Sequence, residues 1–251
     1  MSIDQAKTAA RSMALSALAA GAALFSGSAG VFAQTLPPLV AGEHFGNGWR
    51  VVTLPRQTKP PTRFIPERID GRNALQLQAE GSYGNLVLAL PGIAAPQRLR
   101  WSWRLQQPNP ATDLRVKRGD DVAAKVCLSF DLPLSQIGFG ERQLLRMARS
   151  VSGEPLPAAT LCWAWGAREA VGSLIENPYS RRLRTIVLRN SDDPLLQWLD
   201  EDRDIAADFK RAFGDEADTV PPLVAVGVGA DGDDTGGRSV AHIADLRFGN
   251  R

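Results

Sequence analysis

The chain is 251 residues long, 44% hydrophobic and 22% charged, the profile of a folded globular protein rather than a disordered one. A formal charge of +2 gives no electrostatic basis for nucleic acid or an anionic membrane as partner. Only two cysteines, Cys127 and Cys162, exclude a zinc cluster and a disulfide-dense scaffold.

In chain order, Lys7 and Arg11 precede the apolar run Met13–Phe25 and then small residues ending at Val31-Phe32-Ala33. That order predicts a secretory signal peptide over residues 1–33 and a mature chain from Gln34. The run is too short to span a bilayer, which needs ~20 apolar residues, so the mature protein is expected to carry no membrane span and to be periplasmic or secreted. Asp70-Gly71 between Thr62–Ile69 and Asn73–Ala79 predicts a two-residue hairpin. Leu99, Trp101, Trp103 and Leu105 alternate with polar residues, as do Val122, Ala124, Val126, Leu128 and Phe130; each run predicts a strand with one buried face. Thr160–Trp165, Arg184–Arg189, Leu223–Gly229 and Val240–Phe248 are further predicted strands. Glu141–Arg149 predicts a short amphipathic helix. A second helix is expected over Asp200–Phe213, with Ile205, Phe209 and Phe213 on one face, acids in its first turn and Gly214 at its end. At least eight strands punctuated by turns predict an all-β fold, a two-sheet β-sandwich or jelly roll with one or two short surface helices, in a single domain over 34–251.

Six local patterns occur in a fixed order: Arg115–Asp121, Asn177-Pro-Tyr-Ser-Arg181, Gln197–Asp204, Phe209–Gly214, Gly229–Gly237 and Ala244-Asp245-Leu246. Together they resemble the bacterial family called domain of unknown function 3047, over roughly Phe45 to Phe248. The resemblance implies an exported β-sandwich similar in outline to jelly-roll carbohydrate-binding modules, and it carries over no catalytic residue. The chain departs from the family's usual pattern at Cys127 and Cys162, where aromatic or aliphatic residues are more common.

The acidic loop Asp231-Gly-Asp-Asp-Thr-Gly-Gly237 reads as a sharp solvated turn or, alternatively, as oxygen ligands for calcium; its spacing is not that of an EF-hand. No other cofactor is expected. Gly227-Val-Gly-Ala-Asp-Gly232 matches a dinucleotide fingerprint, but no helix follows to meet a pyrophosphate. Asp120 or Asp121 could pair with Asp231 or Asp233 as acid and base for glycoside hydrolysis. With only His44 and His242, and no Gly-x-Ser-x-Gly elbow, a serine triad is not supported; His242 is expected to be buried and hydrogen-bonded. Trp101, Trp103, Trp163 and Trp165 are expected in the core, whereas Tyr179 and Trp198 are candidates for exposed stacking. The arginines at 181, 182, 184 and 189 are expected to pair with the acids between Asp192 and Asp218. A disulfide between Cys127 and Cys162 is open if their strands are neighbours.

The leading expectation is a non-catalytic exported protein that binds a glycan or another envelope component. Asp120, Asp121, Asn177, Tyr179, Trp198, Arg203, Asp231, Asp233 and Asp234 would line its site. The alternatives are a glycoside-active enzyme using two of these aspartates and a purely structural or protein-interaction domain.

Overall fold

The computed structural model describes residues 35–54, 56–152 and 156–249; the expected signal peptide lies outside the described residues. In chain order the elements are β1 (Val40–Ala41), β2 (His44–Phe45), β3 (Trp49–Val52), β4 (Arg63–Ile69), β5 (Arg72–Glu80), β6 (Tyr83–Ile93), β7 (Arg98–Gln107) and β8 (Ala124–Phe130). They continue with helix α1 (Phe139–Ser152), β9 (Ala159–Trp165), β10 (Leu174–Asn177), β11 (Ser180–Arg189), β12 (Leu199–Asp204), helix α2 (Ile205–Phe213), β13 (Leu223–Asp231) and β14 (Arg238–Gly249). Seven strands form one sheet in the order β10-β11-β9-β8-β13-β6-β3, five form a second in the order β12-β7-β14-β5-β4, and β1 and β2 pair with each other. Neighbours in both sheets are antiparallel except β11 and β9.

The sheets meet through their apolar faces. Period-2 alternation turns Leu99, Trp101, Trp103 and Leu105 of β7 inward, where all four are buried. Trp101 meets Trp163, and Trp103 meets Trp165, each with ring centroids 5.6 Å apart, so β7 of the small sheet packs directly on β9 of the large one. The fold is the expected two-sheet sandwich. The predicted hairpin is present, with Asp70 at φ 52° and Gly71 at φ 79°, the left-handed pair that a type I′ turn requires.

The long predicted helix is corrected. Leu199–Asp204 is an edge strand antiparallel to β7, and only Ile205–Phe213 is helical. The acids read as a first helical turn are instead spent on side-chain partners. Asp202 pairs with Arg98 at 2.7 Å and Arg100 at 3.0 Å. Glu201 accepts from Arg189 at 2.7 Å and from the Trp103 indole at 3.1 Å. Asp204, extended at φ −82°, is the N-cap, its carboxylate accepting the Ala207 N–H at 2.9 Å. Ile205, Phe209 and Phe213 do form one buried face, with the Phe209 ring tilted against Phe130 at a centroid distance of 4.6 Å. Helix α1 is longer than the predicted Glu141–Arg149. Three arginines of the basic run pair with the acids downstream, Arg182 with Glu216 at 2.5 Å, Arg184 with Asp215 at 2.7 Å and Arg189 with Asp193 at 3.2 Å, whereas Arg181 pairs instead with the upstream Glu176 at 3.2 Å.

Candidate active site

A cleft of about 430 Å³ opens on the outer face of the seven-stranded sheet. Alternation along β8 sends Val126, Leu128 and Phe130 into the core and Lys125, Cys127 and Ser129 to this outer face. Cys127 stands directly opposite Cys162 of β9, and a disulfide joins them across 4.1 Å between Cα atoms. On β13 the outward positions opposite Lys125 and Cys127 are Gly229 and Gly227. A Cβ at Gly229 would stand 2.2 Å from Asn85 Oδ1 and 3.0 Å from Lys125 Cε, so glycine here is what lets the lysine lie down against the sheet. The nucleotide-like spacing of glycines thus has a packing reason.

Asp231, at the end of β13, is almost fully buried. Its carboxylate accepts the Val122 N–H at 2.6 Å and forms a very short ion pair with Lys125 Nζ. Burial opposes the charge on Lys125, but the carboxylate of Asp231, with Tyr83 and Asp120 behind it, holds the ammonium above its ordinary range. The Lys125 ammonium also lies 5.3 Å over the Tyr83 ring.

Adjacent aspartates diverge at the entry to β8. Asp120 sits at φ −74°, ψ 54°, and the Asp121 N–H reaches back to the Gly119 carbonyl at 2.8 Å, the geometry of an inverse γ-turn. The turn sends Asp120 into the cleft and Asp121 inward. Asp121 is fully buried and accepts the backbone N–H groups of Asp234 at 3.2 Å and Thr235 at 2.8 Å, together with the Thr235 hydroxyl. It anchors the β13–β14 loop and presents nothing to a ligand.

Asp120 accepts a hydrogen bond from Asn177 Nδ2 at Oδ2. Asn177 is oriented by its own turn, its Oδ1 accepting the N–H groups of Tyr179 at 3.0 Å and Ser180 at 3.2 Å. Burial pushes the Asp120 carboxyl up to about 7; Lys125 pulls it down, Asp231 and Asp234 push it up, and Asn177 pulls it down. Asp233, on the loop facing it, is lifted to about 6 by burial and by the nearby charges of Asp231, Asp234 and Asp121. Asp234 is raised by burial, less so for the Tyr179 hydroxyl that donates to it at 2.6 Å. That bond in turn holds the Tyr179 phenol up at about 12. The cleft therefore gathers Asp120, Asn177, Tyr179, Asp231, Asp233 and Asp234. Lys125 and Tyr83 belong with them and were not singled out from the sequence; the alternation that put Lys125 on the polar side of β8 was its only signal, and Tyr83 on β6 had none.

Two expected site residues lie elsewhere. Trp198 is on the five-stranded sheet, its indole donating to Asp70 at 3.0 Å and its ring under the Arg72 guanidinium at 5.2 Å. Arg203 makes a two-pronged bond to Asp208, 2.8 Å on each arm, and Asp208 also accepts the Trp163 indole N–H at 2.8 Å. His242, as expected, is buried, with Nε2 2.6 Å from Glu67. The calcium alternative does not suit Asp231, whose carboxylate is taken by Lys125 and Val122. Asp121, Asp233 and Asp234 do bring oxygens within 4.8 Å of one another, with those of Asp121 already bonded to the loop it anchors.

A family model for proteins of unknown function, DUF3047, matches residues 47–247. The chain belongs to this family. No curated protein matches the sequence. Among solved structures, endoglucanase 3 of family GH12 from Trichoderma harzianum matches at 11% identity and a TM-score of 0.41, over 87% of this chain and 97% of that one. Endoglucanase cel12A from Rhodothermus marinus matches at 15% and 0.39, over 85% and 94%. A family 12 xyloglucanase from Bacillus licheniformis matches at 8% and 0.42, over 85% and 97%. These likenesses are of architecture only. The expected non-catalytic binding surface is corrected: the cleft of this DUF3047 protein is a concave carboxylate site, not a shallow aromatic groove.

Proposed function

We propose that this DUF3047 protein is an exported single-domain hydrolase of a glycosidic bond, working outside the cytoplasm after removal of its leader near Ala33. Among the described residues no helix is long and apolar enough to cross a membrane, and the Cys127–Cys162 bond suits an oxidising compartment. The observation that carries the reading is the carboxyl of Asp120, lifted to about 7 in a cleft shared with Asp233 at about 6. Glycoside hydrolysis needs one carboxyl that keeps its proton at working pH and a second that has lost it. Asp120 is the acid: Asn177 occupies Oδ2, which leaves Oδ1 to carry the proton to the leaving oxygen. Asp233 is the ionised partner on the opposite loop. The Lys125–Asp231 pair forms a fixed polar floor between them.

The test is a panel of nitrophenyl glycosides and soluble polysaccharides, assayed with wild type and with Asp120→Asn and Asp233→Asn. Loss of a general acid is expected to cost about 10²–10⁴-fold in rate. Nitrophenyl leaving groups, which need little protonation, are expected to suffer least from Asp120→Asn. If wild type releases no more product than Asp120→Asn from every member of the panel, the assignment is wrong.

A further inference from the structure

Beside the carboxylate cleft a second depression of about 670 Å³ opens between α1 and the β10–β11 turn. Leu54, Asn177, Tyr179 and Leu183 line both, so one runs into the other at the side chain that holds Asp120. The chemistry changes along that path. The Asp233 end is carboxylates and Lys125, whereas beyond Asn177 the walls are Leu144, Leu145, Leu156, Pro157 and Pro178. The ions at this rim are already matched: Arg182 meets Glu141 at 2.5 Å, and Arg181 meets Glu176 at 3.2 Å. Among the described residues the lining holds no aromatic ring apart from Tyr179, and a sugar ring binds best against an aromatic face. On α1, the groove-lining Leu144 is 67% exposed and Met147, three residues on, is 65% exposed; adjoining exposed apolar side chains mark a surface that a ligand or partner covers.

Resting on the glycosidase reading above, we infer that the substrate carries an aliphatic chain on its leaving-group side. The sugar lies at the polar end by Asp233, the scissile oxygen at Asp120, and the chain in the groove along α1. Continuity with the acid decides the direction, because the groove begins at Asn177 and not at the Asp233 loop.

The groove is tested without turnover by calorimetric titration of the purified protein with hexanol, octanol and decanol. Burial of each added methylene is expected to tighten binding about fourfold, and Leu144→Glu, a change at an exposed position, is expected to remove most of that gain while leaving the melt unchanged. Decanol is also expected to raise the KM for octyl glycosides but not for methyl glycosides. An alkanol series flat in chain length overturns the inference, and cleavage of panel glycosides in that case leaves the glycosidase reading standing. A gain that survives Leu144→Glu places the chain elsewhere and overturns it too. So does a flat series accompanied by Leu144-dependent binding to phosphatidylcholine vesicles, or by Leu144-dependent dimerisation. Chain binding with no glycoside cleaved removes the leaving-group assignment together with the catalytic one.

Discussion

Replacing Lys125 with methionine keeps the apolar stem against the sheet and deletes the charge that Asp231 was built around. Asp231 is then left almost fully buried with one neutral donor, the Val122 N–H at 2.6 Å. Breaking a buried ion pair from one side costs about 3–5 kcal/mol, and for a domain of this size each kcal/mol lowers the melting temperature roughly 2–4 °C, so a fall of about 6–20 °C is expected. Lys125→Met/Asp231→Asn, which removes the charge on both sides, is expected to recover most of it. The deficit also has a pH signature. Without Lys125 the folded carboxyl of Asp231 titrates above its unfolded value, so its protonated form is stabilising in acid and that stability is lost as the pH rises through the folded value. The single variant is therefore expected to approach wild type as the pH is lowered toward the ordinary carboxylate range. Circular-dichroism melts of the three proteins across pH check this. A single variant that melts with wild type at pH 7, or a double variant no better than the single, refutes the pairing argument.

Three further outcomes follow from the geometry. The rate of glycoside hydrolysis is expected to rise through about pH 6 as Asp233 ionises and to fall through about pH 7 as Asp120 loses its proton, giving a narrow bell; a rate still climbing above that window would remove Asp120 as the acid. Reducing the Cys127–Cys162 bond frees a 35-residue separation, worth about 4 kcal/mol of chain entropy by the loop-closure estimate, and denaturant unfolding with and without reductant measures it. Arg203→Ala is expected to destabilise by about 2 kcal/mol through the loss of charged hydrogen bonds to Asp208, whereas Trp198→Ala leaves kcat and KM unchanged, since neither residue borders the cleft; a change in KM in either variant would return that residue to the site.

The strands were legible wherever apolar and polar residues alternate, as along Leu99–Gln106 and Ala124–Phe130, because burying one sheet face imposes a period of two. The stripe Ile205, Phe209, Phe213 was legible for the same reason at helical spacing. Leu199–Asp204 was not, because four acids ahead of a helix look like dipole partners until the arginines they meet, Arg98 and Arg100 on β7 and Arg189 on β11, are known to lie beside them. Tyr83–Ile93 was not singled out, since a near-continuous apolar run carries no period to read. Within the site, Asp120 and Asp121 are indistinguishable as letters; the γ-turn at Asp120 gives one of them a cleft and the other a loop to hold. Trp198 looked exposed because its partner Asp70 lies on a distant hairpin, and Arg203 because, read as one helix, it and Asp208 are five apart and do not face each other, whereas the break between β12 and α2 brings them together.

The disulfide has a geometric consequence for the cleft beyond its contribution to stability. A slip of one residue between β8 and β9 would exchange the two faces of a strand, bringing Val126 out in place of Lys125 and leaving Asp231 facing a hydrocarbon. Because Cys127 and Cys162 are bonded directly across the ladder, two positions from Lys125, that exchange is closed to the folded chain. The polarity of the cleft floor is thereby fixed by a covalent tie, and variation in what the cleft accepts is left to the β13–β14 loop, the Asn177 turn and the lip of α1.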